Sequence, residues 1–171
     1  MDSMMDPRLD LVMERVLGVE PALVWAAWTE ARHLTGWFAT PPWTTVECAI
    51  DLRPGGEFRT VVRAPDGARF PNEACYLELV PQRRLVWTDA LESGFRPSRL
   101  PARMGFRYTV ALELEPEGAG TRCRALVMHA DEEGRANLER MDFQAGWGRG
   151  FDRLAELMAH VRHAARGDDH R

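Results

Sequence analysis

Two ionisable side chains, His129 and Glu73, are the candidates for acid–base chemistry in this sequence. If Cys123, Ala125 and Val127 face the interior with the period of two that a strand imposes, His129 at the end of the same run faces inward as well. The pKa of an imidazole is easily moved by its surroundings, so His129 could act as a general base or as a hydrogen-bonding partner for a ligand. Alternatively, His129 caps the following helix or is held by a backbone carbonyl.

Glu73 falls in phase with Cys75, Leu77 and Leu79, which predicts that its side chain also points inward from the mouth of a strand. A buried carboxyl beside an apolar ligand would have a raised pKa and could donate a proton. The alternative is a solvated glutamate near a strand end. Asp89 is in phase with the apolar residues that precede it, and the same two interpretations apply to it.

No recognised catalytic motif accompanies these residues. The sequence contains no G-x-S-x-G, H-E-x-x-H, paired C-x-x-C or phosphate-binding loop, and Gly55-Gly56 suits a hairpin turn rather than a nucleotide site. We therefore predict neither a metal nor a cofactor. Any catalysis would depend on isolated polar groups that face an apolar cavity.

Aromatic side chains come from every part of the chain that should face such a cavity. They are Trp37, Trp43, Phe58, Phe70, Trp87, Phe106, Phe143 and Trp147. Met104 and Met141 add adaptable apolar lining. Together with Glu73 and His129, these residues would form a pocket with mostly apolar walls and a few polar groups, which is typical of a small-molecule site. The alternative for the aromatic residues is an ordinary core.

Alternating apolar residues and turn signals predict the elements that must position these side chains. A strand over 9–19 precedes two short helices within 21–38, and six strands follow between 46 and 130. The short connections between these strands require antiparallel pairing. We expect an α+β fold in which a curved antiparallel sheet of about six or seven strands wraps around a long C-terminal helix.

The C-terminal stretch 129–163 carries apolar residues at helical intervals and predicts one continuous helix, which Asp131 can cap. Gly146, Gly148 and Gly150 alternate through its apolar part, and each costs about 1 kcal/mol relative to Ala in a helix interior. One interpretation is a kink or a close contact between helix and sheet. The other is that the missing side chains leave room for a ligand.

Composition limits the class of protein. The formal net charge of −4 gives no basic footprint for nucleic acid, and no apolar run is long enough for membrane insertion. The acidic N-terminus does not resemble a signal peptide, and three isolated cysteines favour buried thiols in a reducing compartment, so we expect a cytoplasmic protein. We predict a single domain over 9–163, with loose ends at 1–8 and 164–171.

Five motifs in order resemble a known family. They are V-E-P-A-L-V-W-A-A-W-T at 19–29, continued to W-F at 37–38, then L-R-P-G-G-E-F-R at 52–59, L-E-L-V-P-Q-R-R-L-V-W-T-D-A at 77–90, G-A-G-T-R at 118–122 and M-D-F-Q-A-G-W-G-R-G-F-D-R-L-A-E-L at 141–157. Together they resemble the SRPBCC superfamily, within it the branch named after the C-terminal domain of the activator of the 90-kDa heat-shock protein ATPase. The resemblance implies a START-like helix-grip fold with a deep apolar cavity between the sheet and the C-terminal helix.

The superfamily includes lipid and hormone binders, cyclases and co-chaperone domains, so the fold alone does not decide the function. Our leading hypothesis is a non-catalytic bacterial protein that binds an apolar or aromatic small molecule beside Trp147. The second is a cyclase- or hydrolase-like enzyme that uses His129 and Glu73 as acid and base. The third is a regulator of the chaperone ATPase, and a homodimer through an exposed edge is compatible with each.

Overall fold

Seven antiparallel strands form one sheet in the computed structural model, which describes residues 5–168. They are β1 (Asp10–Leu17), β2 (Thr44–Ile50), β3 (Glu57–Arg63), β4 (Arg69–Val80), β5 (Arg84–Thr88), β8 (Tyr108–Glu117) and β9 (Gly120–His129). The strand order is β1-β9-β8-β5-β4-β3-β2, so β2 to β9 form a meander and β1 closes on β9. The predicted antiparallel sheet is therefore confirmed.

A small hairpin interrupts the stretch between β5 and β8. It consists of β6 (Leu91–Glu92) and β7 (Arg96–Pro97), and its turn has positive φ angles at Gly94 and Phe95. Two-residue strands are too short to produce a hydrophobic period. For this reason the hairpin was not predicted.

Two short helices, α1 (Pro21–Thr29) and α2 (Ala31–Leu34), follow β1 as predicted. Pro21 occupies the first turn, where its missing N–H removes no helical hydrogen bond. Glu30 has an extended backbone and ends α1 while it begins α2. This corner turns the chain so that the segment after α2 reaches back towards the C-terminal helix.

The C-terminal stretch differs from the single helix that the sequence predicts, because it forms α3 (Glu132–Arg140) and α4 (Phe143–Asp168). Asp131 caps α3 as expected, and its side chain accepts a hydrogen bond from the backbone N–H of Gly134 at 2.7 Å. The break arises because Asp142 has a φ of 60°. This left-handed conformation cannot continue a right-handed helix, and an aspartate tolerates it better than most residues.

The chain ends are more ordered than expected over the residues that the structure describes. Leu9 N–H donates to the Asp6 carbonyl at 2.9 Å, so a turn precedes β1. Helix α4 continues through residues 164–168, which are exposed on its last turn. The rest of the predicted loose ends, 1–4 and 169–171, lies outside the described residues.

The main core lies between the inner face of the sheet and the helices α1 and α4. Its largest fully buried side chains include Trp28, Tyr76, Phe151, Leu154 and Met158. The opposite face carries a smaller apolar cluster centred on Val86, Ala111 and Leu126. No helix within residues 5–168 is both long and apolar enough to cross a membrane.

Candidate functional site

An apolar compartment of about 230 Å³ lies between the sheet, the two N-terminal helices and the C-terminal helices. Its walls are Trp28, Trp37, Phe38, Trp87, Met104, Tyr108, Val110, Val127, Leu138, Gly146, Trp147, Gly150 and Phe151. Helix α1, the segment after α2, the strands β5, β8 and β9, and both α3 and α4 contribute. The space therefore lies between the helices and three strands of the sheet, and it is partly open to the surface.

Four tryptophans form one side of this compartment. The ring of Trp28 lies 4.6 Å from Trp37, 5.2 Å from Trp87 and 6.2 Å from Trp147, measured between centroids. Trp37 donates its indole N–H to the carbonyl of Ala27 at 3.0 Å. The indole N–H of Trp28, which is 2 % exposed, has no acceptor among the described residues. A buried donor without a partner is costly. The nitrogen is fully buried, so a molecule in the compartment could accept a hydrogen bond from it only after the ring moves.

The three glycines of α4 have different roles. A methyl group added at Gly146 would meet no atom within 4 Å, and one added at Gly150 would touch only the ring of Trp37 at 3.8 Å. Both glycines line the apolar compartment. A methyl at Gly148 would lie 2.5 Å from Nη2 of Arg15 on β1. The close-contact interpretation therefore applies to Gly148, and the interpretation that absent side chains leave space applies to Gly146 and Gly150.

Arg153 of α4 fixes the segment that carries Trp37 and Phe38. Its guanidinium donates hydrogen bonds to the backbone carbonyls of Gly36 and Trp37 at 3.2 Å each, and to that of Ala39. These carbonyls follow α2 and would otherwise lack partners at its end. One side chain thus ties the C-terminal helix to the aromatic wall opposite it.

A second, more polar compartment of about 210 Å³ adjoins the first. The two share Phe38, Trp87, Met104 and Tyr108 as a common wall. The remaining lining is Phe58, Thr60, Pro71, Asn72, Glu73, Ala74, Asp89, Ser98, Leu100, Pro101, Arg103 and Arg107. Taken together, the two compartments fall within the range of roughly 300–1,000 Å³ that is usual for small-molecule sites.

Asp89 and Tyr108 are the titratable groups at this shared wall. The backbone N–H of Tyr108 donates to Oδ1 of Asp89 at 2.8 Å. Burial raises the pKa of the Asp89 carboxyl, and this hydrogen bond and nearby Arg107 partly oppose the rise. Burial, with a smaller contribution from Asp89, raises the pKa of Tyr108 to about 12. The phenol is therefore protonated at neutral pH and remains a hydrogen-bond donor.

His129 faces inward, as its phase with Cys123, Ala125 and Val127 predicts, but it does not line either compartment. Its Nδ1 lies 2.9 Å from the carbonyl of Leu9, and its ring lies 5.6 Å from that of Phe106. The histidine is thus held by a backbone carbonyl, the second of the two interpretations. Its Nε2 is buried and has no partner among the described residues.

Glu73 borders the polar compartment, but its side chain lies on the face of the sheet opposite to the predicted one. Its neighbour Ala74 pairs with Phe58, and both belong to the main core. The predicted phase with Cys75 and Leu77 holds, but that phase is the outer one, since Leu77 packs against the cluster on the opposite face. Only Leu79, beyond the register irregularity between Tyr76 and Glu78, returns to the main core.

The acid–base pair of the enzyme hypothesis is therefore not assembled. His129 on β9 and Glu73 on β4 are three strand spacings apart, about 14 Å, and the two side chains lie on opposite faces. Asp89, by contrast, keeps the predicted phase with Trp87 and lines the polar compartment.

The other predicted lining residues separate into two groups. Trp37, Trp87, Met104 and Trp147 line the apolar compartment, and Phe58 lines the polar one.

The remainder lie elsewhere. Trp43 and Phe70 pack on each other with centroids 5.5 Å apart, and Trp43 borders a more open depression outside both compartments. Phe106 and Phe143 are buried core residues, and Phe143 supports Trp147 at 5.7 Å. Met141 is 55 % exposed, because the break between α3 and α4 turns it to solvent.

Several lining residues escaped the sequence prediction. Trp28, Phe38, Leu138 and Tyr108 were absent from it. Trp28 could have been found from the sequence, because it shares a helical face with Val24 and a buried indole needs an acceptor. Tyr108 alternates with Val110 on β8 and could have been found by phase.

The described residues contain no cluster of metal ligands, and two of their three cysteines have a raised pKa. No three His, Cys, Asp or Glu side chains between residues 5 and 168 lie close enough to hold a metal ion. All three cysteines are free, and burial raises the pKa of Cys48 to about 11 and that of Cys123 to about 12.

Comparison with known proteins agrees with this geometry. A crystal structure of a protein from Nitrosomonas europaea is 41% identical, with a TM-score of 0.87 over 93% of this chain and 99% of that one. An AHSA1-like protein from Aeromonas hydrophila is 21% identical, with a TM-score of 0.68 over 90% and 94% of the two chains. A protein from Rhodobacter sphaeroides, 21% identical, has a TM-score of 0.78 over 92% and 97%.

No protein of curated function matches the chain. The family described as "Activator of Hsp90 ATPase homolog 1-like protein" matches residues 19–159, which is most of the sequence. Its helix-grip architecture is the one found here, with a seven-stranded antiparallel sheet against a long C-terminal helix. The chain therefore belongs to the Activator of Hsp90 ATPase homolog 1-like family.

Proposed function

We propose that this protein binds a small molecule with an apolar or aromatic body in the apolar compartment. The observation that carries the proposal is a space of about 230 Å³ bordered by four tryptophans and by Gly146, in the part of the fold where a side chain would normally fill the core. A partly open recess with predominantly apolar, aromatic walls is the usual form of a small-molecule site.

A further feature supports binding rather than empty volume. The apolar compartment shares Trp87 and Tyr108 with the polar one, so polar side chains lie just beyond the wall of the space that an apolar body would occupy. Flat aromatic molecules suit the tryptophan wall, because offset and edge contacts between rings contribute beyond the area they bury.

The geometry gives no comparable support to catalysis by His129 and Glu73. The histidine is bound to a backbone carbonyl outside both compartments, and the glutamate side chain lies on the opposite face of the sheet. A general base must come within hydrogen-bonding distance of the proton it removes. Neither residue meets that requirement for a molecule in the apolar compartment.

Native mass spectrometry of the purified protein is the first test, and we expect a bound species that is released on denaturation. The second is calorimetric titration of ligand-free protein with naphthamide, a neutral aromatic probe. Substitution of Gly146→Leu should abolish the binding, whereas Gly167→Leu, the same change on an exposed turn of the same helix, should not alter it. Equal binding by all three proteins would place the probe outside the compartment and contradict the proposal.

A further inference from the structure

We infer, on the basis of the function proposed above, that the ligand carries a carboxylate or similar anionic head, which Arg103 binds in the polar compartment. The apolar body would lie against the tryptophans, and the head would cross the wall formed by Met104 and Tyr108. The protein would thus select amphipathic organic acids over neutral molecules of the same shape.

The guanidinium of Arg103 is incompletely used. Its Nη1 donates to Oδ1 of Asn72 at 2.8 Å, and its Cζ lies 5.5 Å above the centre of the Phe70 ring. Within residues 5–168 it makes no other hydrogen bond and no ion pair, although a guanidinium has five N–H donors. A planar group held by a ring below and an amide at one side still presents donors to a carboxylate.

Positive charge exceeds negative charge around the polar compartment, which also favours an anionic ligand. Arg103 and Arg107 both line it, and Arg107 donates only to backbone carbonyls, those of Asp89 at 2.9 Å and Leu100. Asp89 is the one carboxylate whose side chain shares the inner face, since that of Glu73 lies on the other side. Two cations against one carboxylate favour an anion there.

Among the described residues, other arginines form ion pairs with carboxylates, whereas Arg103 does not. Arg99, four residues before Arg103, places its Nη2 2.9 Å from Glu92, and Arg84 contacts both Glu78 and Glu113. A guanidinium that borders a cavity without such a partner is available to a ligand. Tyr108, which is protonated at neutral pH, borders both compartments and supplies a further donor at the boundary.

The test is a calorimetric comparison of two probes with the same ring system, naphthoate with an anionic carboxylate head and naphthamide with a neutral amide head. We expect wild-type protein to bind naphthoate about fivefold more tightly, the upper end for an ion pair that is open to water. Arg103→Gln should remove this preference by weakening naphthoate binding more than naphthamide binding. Arg99→Gln, with the same loss of charge on the same segment, should retain the preference.

The outcomes separate the proposal of an anionic head group from the proposal that the apolar compartment binds the ligand. Equal affinities for the two probes, or loss of preference in both variants, would overturn the anionic head. If naphthamide still binds wild-type protein and fails to bind Gly146→Leu, the apolar compartment remains the ligand site. Failure of wild-type protein to bind either probe at millimolar concentration would overturn the proposed function and the present inference together.

Discussion

Replacing Gly146 by leucine should make the protein more stable and, at the same time, unable to bind its ligand. A side chain at this position meets no atom within 4 Å at its first carbon, so it enters the helix without a clash. Leucine is favoured over glycine in a helix interior by about 0.8 kcal/mol. For a chain of 171 residues this should raise Tm by about 2–3 °C.

The same side chain would project from a residue that lines the apolar compartment. Its four carbon atoms would occupy space that an aromatic ligand needs, and we expect Kd to rise at least tenfold, about 1.4 kcal/mol. Urea unfolding and calorimetric titration with naphthamide measure the two effects on the same preparation. An unchanged slope of the unfolding free energy against urea would show that the folded state is as compact as before.

Gly148→Ala is the contrasting variant. Its added methyl would lie 2.5 Å from Nη2 of Arg15, so that guanidinium must move away from Asp152, which it contacts at 2.7 Å. Both partners of this ion pair are exposed, and its loss should offset much of the gain in helix propensity. A Gly146→Leu protein that is less stable than wild type, or that binds the probe normally, would refute our account of the glycines.

Four further predictions follow from named contacts. Arg153→Met should lower the free energy of unfolding by about 1–3 kcal/mol in urea titrations, because three carbonyls after α2 lose their donor. Burial raises the pKa of Asp89 in the folded protein, so the Asp89 carboxyl ionises at lower pH in the unfolded chain, near its ordinary pKa of about 4. In urea titrations at several pH values, Asp89→Asn should therefore be about as stable as wild type below about pH 4 and more stable than wild type above it. His129→Leu should leave naphthamide affinity within about twofold (roughly 0.4 kcal/mol), since the imidazole lines neither compartment, and calorimetry would show any larger loss. Ellman's reagent at pH 8 should label native Cys48 slowly, because burial raises its pKa to about 11, whereas the urea-unfolded protein should release three equivalents rapidly.

Period-two alternation predicted most of the sheet, because its inner face is buried and each strand is long enough to repeat the pattern. Along β9, Cys123, Ala125 and Val127 are buried as their phase requires, and His129 follows them. The method failed at Glu73 because both faces of β4 carry buried apolar residues. Cys75 and Leu77 share the phase of Glu73 as inferred, but this phase faces the smaller cluster on the opposite side of the sheet rather than the main core.

The break between α3 and α4 was not predictable from hydrophobic spacing, which continues across it. A single positive φ at Asp142 decides the geometry, and aspartate at that position is not distinctive in sequence. Its consequence was the wrong placement of Met141, which the break exposes. Trp28 was missed for another reason: a buried indole on a helix looks like core until the space beside it is known.

The glycines of α4 also bear on how a ligand could enter the apolar compartment. Three glycines within five residues weaken the helix by about 3 kcal/mol relative to alanine, and all three lie in its first half. That half should unfold locally more often than the second half, so its amide protons should exchange with deuterium sooner. Brief fraying of these turns would carry Trp147 away from Trp28 and widen the mouth of the compartment, and a ligand that binds only the folded helix would oppose this fraying.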